Sequence, residues 1–379
     1  MKAKTKFSLK DQLFNPQKVD YLIGLFLAAD SSFPAQEFRD EVLDAFPDLE
    51  LKERITHIAR CLHRVLPDDY VDTLGVILRS LPPRLDPTLT DDDFGDFIIA
   101  PLHSFVALYG CSAEHLDRSL QALREITMRF SAEDSIRYFI NAFPEETLAF
   151  LEDCAQDANY HVRRLASEGT RPKLPWAQKL TIDHRRPLPL LEELFADPTR
   201  YVTRSVANHL NDLAKIEPPL VCETLQRWKA SGRQSAKEMD FILRHSLRTL
   251  VKKGDPEALG LLGYGDTPKV TVSELQAQST QVVIGESLQF SFELTAQKAQ
   301  KLMVDYVMHF ANPKGTASQK VFKLKKLDLA AGERMRLEKK HRLQPMTTRS
   351  LYAGEHRITL QINGQPFDSL TFQLVEPMD

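Results

Sequence analysis

The run His161-Val-Arg-Arg-Leu-Ala-Ser-Glu-Gly-Thr-Arg-Pro-Lys-Leu-Pro-Trp176 gathers one carboxylate (Glu168), one indole (Trp176) and four cations (Arg163, Arg164, Arg171, Lys173) within fourteen residues. That is a high density for a connection between helices. Carboxylates set among arginines suit a site that works on a charged ligand, whereas a plain docking groove would show an apolar or single-sign surface. A helix carrying the two arginines is expected to end near Glu168-Gly169, after which a loop stiffened by two prolines presents Trp176. Signatures of better-known chemistries are missing. There is no GxxxxGK[ST], no GxGxxG after a strand, no GxSxG, and no HExxH among eleven scattered histidines, which weakens nucleotide, serine-hydrolase and metallopeptidase readings.

The charge distribution places this run where the chain turns basic. Residues 1 to 160 hold 16 Lys+Arg against 28 Asp+Glu, a net of −12, and residues 161 to 253 hold 18 against 10, a net of +8. Residues 266 to 379 hold 15 against 12. A chain of net charge −3 can thereby present a cationic face to a polyanion; the same counts also arise from solvated helix faces that differ in charge, and both readings stand. No apolar run approaches the ~18 residues of a membrane span. The basic start MKAKTKFSLKDQLFN leads into no apolar leader core, so a cytoplasmic protein is expected. Cys61, Cys111, Cys154 and Cys222 form no CxxC pair, which indicates neither a zinc ribbon nor a disulfide framework.

The elements that must position these residues are helices. From Asp11 to about Leu262 apolar residues recur three and four apart, as in Ile55, Ile58, Ala59, Leu62 and Leu120, Leu123, Ile126. Ser131 followed by Asp134 reads as a capping box, Asp157 and Asp197 as helix caps, and Pro144 and Pro198 as first-turn prolines. Asp157-x4-Val162-x-Arg164 returns forty residues later as Asp197-x4-Val202-x-Arg204, and Ile242-x-Arg244 repeats the last two positions. That period suits a HEAT-type helical pair, with Arg164, Arg204 and Arg244 projecting from one face into a basic groove or else pairing with the aspartate before each helix.

After Gly260-Leu-Leu-Gly-Tyr-Gly265 the pattern changes to period-two alternation in seven segments: Val270 to Leu275, Ser287 to Leu294, Leu302 to Phe310, Lys320 to Leu327, Arg334 to Leu343, His356 to Ile362 and Ser369 to Leu374. The expected architecture is an all-α HEAT-like-repeat solenoid over residues 1–262, a linker at 263–268, and an all-β immunoglobulin-like sandwich over 269–379, although the Cys and Trp hallmarks of that sandwich are missing. Arg334, Arg336, Lys340 and Arg342 share one strand face, opposite Met335, Leu337 and Leu343, and Lys323 and Lys325 alternate with Phe322 and Leu324. One sheet face should therefore be cationic, either to touch phosphate or to blunt an edge.

VRRLASEGTRPKLPW, together with SAEDSIRYF (Ser131 to Phe139), VTRSVANHLND (Val202 to Asp212) and the opening LKDQLFN, resembles the AlkC branch of the HEAT-like-repeat DNA glycosylases over residues 1 to about 262. The resemblance implies excision of cationic N-methylated bases, N3-methyladenine and N3-methylcytosine, from double-stranded DNA in base excision repair. It also implies no metal or organic cofactor and access to the lesion's sugar without full base flipping; a monomer is the default expectation for a solenoid that wraps DNA. Such a base is already a good leaving group, so help is needed by the oxocarbenium-like sugar and the incoming water. The implied roles give Glu168 and Asp212 to the sugar cation and the water, Glu133 to completing the acidic cluster, and the Trp176 ring to the deoxyribose or the cationic base. Arg163, Arg164, Arg171, Lys173 and Arg204 would hold phosphates, with Arg244, Asn208 and Asn211 as further DNA contacts. Structural roles compete at each position: Glu168 bridging Arg164 or Arg171, Asp212 bridging Lys215, Glu133 favoured at a second helical position by the dipole, Trp176 packing between repeats. A non-catalytic DNA-damage-binding protein or HEAT-type scaffold is the alternative function.

Overall fold

The spacing of apolar residues materialises as helices with buried stripes. Ile58, Ala59 and Leu62 lie inside helix Leu51–Val65, and Leu120, Leu123 and Ile126 inside Leu116–Thr127, each with 3% exposure or less. A computed structural model describes residues 8–88, 94–265, 267–312, 318–345 and 350–377, and among them sixteen α-helices run from Leu9–Leu13 to Pro256–Leu261. Pro144 opens helix Pro144–Ala155 as expected. Other starts differ by a residue or two. Asn159 and Thr199 occupy the cap positions of Tyr160–Glu168 and Arg200–Leu213, and Asp157 and Asp197 sit two residues earlier, each accepting the backbone N–H of the cap at 2.7 Å. Pro198 consequently lies outside its helix. Ser131 caps nothing: its hydroxyl donates to Glu133 at 2.7 Å, and the helix Ile136–Ala142 begins only after a turn over 133–135 that holds Glu133.

The forty-residue repeat is a packing register. Val162, Val202 and Ile242 are all 0% exposed, in the helices Tyr160–Glu168, Arg200–Leu213 and Ala236–Ser246, which pack each on the next. Two residues after each, Arg164 is buried, Arg204 half-buried and Arg244 exposed. Arg164 pairs with Glu133 and Glu168, and Arg244 with Asp240 of its own helix. Asp157 is met by Arg124, and Asp197 by Arg163 at 2.5 Å, a ladder continued by Arg200 on Glu238. At Asp197 the tie is made by Arg163, one position before Arg164, which leaves Arg164 to point elsewhere.

The strands form two sheets. The strands are β1 (Val270–Ala277), β2 (Gln281–Val283), β3 (Ser287–Ala296), β4 (Gln300–Phe310), β5 (Ser318–Leu329), β6 (Arg334–Arg342), β7 (Gly354–Ile362) and β8 (Gln365–Val375). The sheets run β1-β3-β6 and β2-β8-β7-β4-β5, antiparallel except for β2 beside β8. β2 is the strand that period-two counting misses, because three residues carry too little alternation. Leu288, Phe290, Phe292, Tyr306, Leu360 and Phe372 fill the shared core at 3% exposure or less. The outer face of β6 is of mixed sign rather than purely cationic: Arg334 pairs with Glu293, and Arg336 with Glu274 and Glu338.

By compactness the chain divides into Met1–Ile216 with Trp228–Ser246, and Glu217–Arg227 with Leu247–Asp379. The second unit thus holds the short helices Arg248–Lys253 and Pro256–Leu261 as well as the sandwich. Gly254, at φ +75, closes the first of these helices against the β7–β8 turn, where a Cβ on Gly364 would fall 2.4 Å from the Gly254 Cα. Only two glycines permit that approach.

Candidate active site

Glu168 is the last residue of helix Tyr160–Glu168, the end at which the helix dipole opposes a negative charge, and it is 4% exposed. Burial by itself would raise its carboxyl. Arg164 and Arg171, helped by the Ser205 hydroxyl, outweigh that and hold it below the ordinary carboxylate value. Arg171 Nη1 donates to Oε1 at 2.5 Å, Ser205 Oγ donates to Oε2 at 2.6 Å, and Arg164 Nη2 stands 3.5 Å from Oε2. The site therefore spends several interactions on keeping one buried carboxylate charged.

The network extends on both sides as a row of alternating charges. Arg164 Nη1 donates to Glu133 Oε2 at 2.8 Å, and Arg171 Nε and Nη2 donate to Asp212 Oδ2 at 3.0 and 2.8 Å. Lys215 Nζ closes the row on Asp212 Oδ1 at 2.9 Å. In order it reads Glu133, Arg164, Glu168, Arg171, Asp212, Lys215. The three carboxylates named from sequence are brought together, and Asp212 makes both the Arg171 and the Lys215 contacts. The Glu168 and Asp212 side chains are 5% and 4% exposed, against 27% for Glu133 and 39% for Lys215, so the row is open at its two ends and closed in its middle. Tyr201 lays its ring under the Arg164 guanidinium, 4.5 Å from the centroid, and burial pushes its phenol up to about 12, so it stays neutral.

Between Glu168 and the next helix, Leu188–Leu194, residues 169–187 form neither helix nor strand, and their backbone is tied down from the preceding repeat. Arg137 donates to the carbonyls of Gly169 (2.9 Å), Arg171 (2.8 Å) and Gln178 (2.7 Å), its own pKa lowered to about 10 by burial; Asn141 binds the Lys179 carbonyl and the Thr181 N–H, each at 2.9 Å. Trp176 sits on this loop at φ +61 with 79% of its surface exposed, and Lys52 Nζ holds its carbonyl at 2.6 Å. Trp176 is therefore a surface platform and does not pack between repeats. Beneath Glu168, His209 is fully buried against the Ser167 carbonyl at 3.1 Å, and burial lowers it to about 4, so it is neutral at physiological pH.

Residues 271–376 match a family model described as the C-terminal Ig-like domain of uncharacterised protein YhaZ. Over 367 residues the chain is 35% identical to uncharacterized protein YhaZ of Bacillus subtilis (strain 168), with 96% of this chain and 98% of that one aligned. A solved structure of the Pseudomonas fluorescens alkylpurine DNA glycosylase AlkC, bound to DNA containing an abasic site analog, superposes with a TM-score of 0.88 at 34% identity, covering 97% of this chain and 100% of that one. The chain belongs to the AlkC branch of the HEAT-like-repeat DNA glycosylases.

Against this AlkC framework the remaining candidates separate. Arg163 spends Nε and Nη2 on Asp197 (2.5 and 3.2 Å) and Nη1 on the carbonyls of Asp157 and Ala158, so it ties one repeat to the next. Arg164 and Arg171 are likewise engaged, but with the acidic row itself, so they are parts of the site rather than free phosphate clamps. Lys173 is exposed on the loop, Arg204 is half-buried, Asn208 Oδ1 meets His245 Nε2 at 2.8 Å, Asn211 is buried, and the exposed Arg244 pairs with Asp240 one turn away. Sequence reasoning missed Ser205, Tyr201, Arg137 and Asn141. Each lies in or beside a run that was singled out, yet nothing in residue type told a hydroxyl, a ring or a cation facing Glu168 and its loop from one facing solvent. Among the described residues no group of three or more His, Cys, Asp or Glu is placed to hold a metal ion, and no helix is long and apolar enough to cross a membrane.

Proposed function

We propose that this AlkC-family chain is a DNA glycosylase acting as a monomer on double-stranded DNA, and that it excises cationic N-alkylated bases, N3-methyladenine and N3-methylcytosine, in base excision repair. The observation that carries this reading is the buried Glu168 held ionised beside Asp212 through one shared arginine. A cationic base departs with the electron pair of its glycosidic bond and becomes neutral, so no strong acid is required. What needs support is the positive charge left on the deoxyribose, and fixed carboxylates supply it. Water adds to C1′ as the base leaves, and its proton passes to a carboxylate. Glu168 and Asp212 are assigned to the sugar cation and the water, and Glu133, the most exposed of the three, completes the negative flank. The indole of Trp176 contacts the sugar or the base, and Lys173, Arg204, Asn208 and Arg244 reach toward phosphates. The helical part, residues 1–262, carries binding and catalysis; it reaches the sugar from the groove without drawing the base fully out of the duplex.

Base release from duplex DNA carrying N3-methyladenine, followed by chromatography of the freed base, tests this directly. The wild type should release base, and Trp176→Ala should be slower by about tenfold or more, a ring contact being worth ~1–3 kcal/mol. A folded wild type that binds the duplex and releases nothing would turn the reading into a damage sensor. The absence of salt-dependent DNA binding would leave a scaffold.

A further inference from the structure

An exposed aromatic side chain offers a partner a large contact area with little freedom to lose. Phe94 is such a residue. Its ring is half exposed (50%) and stands edge-on to Tyr201, with centroids 5.6 Å apart and planes at 80°. Tyr201 carries Arg164 on its face, and Arg164 binds both Glu133 and Glu168. Three successive contacts therefore lead from the exposed ring to the carboxylates. On its C-terminal side the backbone of the ring is bridged to another segment. Gly95, at φ +72, forms an antiparallel bridge with Phe130, and a Cβ on Gly95 would lie 1.8 Å from the Arg129 carbonyl oxygen, so only glycine fits. Phe130 lies three residues before Glu133. The same short segment thus anchors Phe94 and delivers the first carboxylate of the row.

We propose that Phe94 is a DNA-contacting positioning residue, and that its ring packs on the nucleotide flanking the lesion and holds the lesion's sugar against the carboxylates. This rests on the glycosylase reading above. A buried carboxylate acts only on a sugar that is brought to it and kept there, and an apolar ring does so without competing for the charges of the row. The rival role is internal: Phe94 would only brace Tyr201 under Arg164.

Phe94→Leu separates the two, because leucine keeps apolar bulk against Tyr201 and loses the ring; Phe94→Trp restores a ring. Each variant, with Phe94→Ala beside them, is titrated against a duplex holding a tetrahydrofuran abasic analogue and against the same duplex undamaged, and is assayed for single-turnover base release. The proposal expects the Leu and Ala variants to keep wild-type affinity for undamaged DNA, lose about tenfold in preference for the abasic duplex, and slow base release by a similar factor, with Trp recovering most of both. It is overturned if Phe94→Leu matches the wild type, if affinity for both duplexes falls together, or if the wild type itself binds the two duplexes alike. Should Phe94→Ala not fold, Phe94→Leu decides. A wild type that releases no base defeats the glycosylase reading, while the ratio of the two affinities still reports the ring's contact.

Discussion

Glu168 in the helical unit and Asp305 in the sandwich are almost equally hidden, at 4% and 6% exposure, and their environments push them in opposite directions. Asp305 lies at the register shift between β4 and β5, and burial raises its carboxyl to about 6 against the weaker opposing pull of Lys323 and the Leu324 N–H. Among the described residues its Oδ1 has no hydrogen-bond partner. Glu168 receives two guanidinium groups and a hydroxyl, and goes down. Burial that cations do not offset raises an acid. Keeping it charged takes cations delivered from several elements at once, and here Arg164 comes from the helix of Glu168 itself, Arg171 from the following loop and Ser205 from the next repeat. That expenditure marks the helical site as the place where a negative charge is needed.

The comparison can be broken most severely by making Glu168 resemble Asp305. Arg171→Gln removes the cation that Glu168 and Asp212 share, and base release at neutral pH should fall by roughly 100-fold, the scale of losing one preorganised electrostatic contact. The acid limb of the pH–rate profile should also move up. A profile that falls in amplitude without moving would show that Arg171 does not set the charge of Glu168.

The next effect sharpens the other half. The folded value of Asp305, about 6, exceeds its unfolded value of 3.8, so the folded state is fully favoured by this group below 3.8 and loses stability as pH rises through 6. Asp305→Asn should stabilise the protein by on the order of 2 kcal/mol at pH 8 and leave it unchanged at pH 3.5, read by denaturant unfolding. Equal effects at both pH values would refute the burial account. For Glu168 the sign is reversed: its folded value is depressed, so it contributes stability above its unfolded 4.5 that is lost as pH falls through the folded value. Glu168→Gln should therefore flatten the stability curve only below about 4.5. The smallest effect is expected at Arg244, whose partner Asp240 is equally exposed; Arg244→Ala should cost no more than ~0.5 kcal/mol.

Much of this was legible in the residues. The forty-residue recurrence of Val162, Val202 and Ile242 predicts the helical stack because an apolar position repeated at the length of a helical pair has only its neighbour to pack on. Glu168, Asp212, Glu133 and Trp176 stand out by type and by resemblance, and the first three do converge. Direction was not legible. Arg163 and Arg164 are adjacent and identical in type, yet a helix turns each residue by about 100°, which sends one to the ladder with Asp197 and the other to the acidic row. Residue type does not record that rotation, so the Asp197 partner of Arg163 is not read from it. Glu133 likewise reads as a helical residue because an acid before an apolar run is the usual mark of a helix start; the Ser131 hydroxyl and Arg164 instead hold it in a turn. The outer face of β6 reads as cationic because Glu274 and Glu293, which offset it, come from other strands.

The central claim, that an ionised Glu168 at the closed middle of the row drives base release, is tested most directly by single-turnover excision of N3-methyladenine from duplex DNA by wild type and Glu168→Gln, with affinity for an abasic-analogue duplex measured alongside. Glutamine keeps the shape and the Ser205 contact and removes the charge. The account predicts that release falls by about 100-fold or more while the variant stays folded and still binds the duplex. Release within a few-fold of wild type by a folded, binding Glu168→Gln would contradict it.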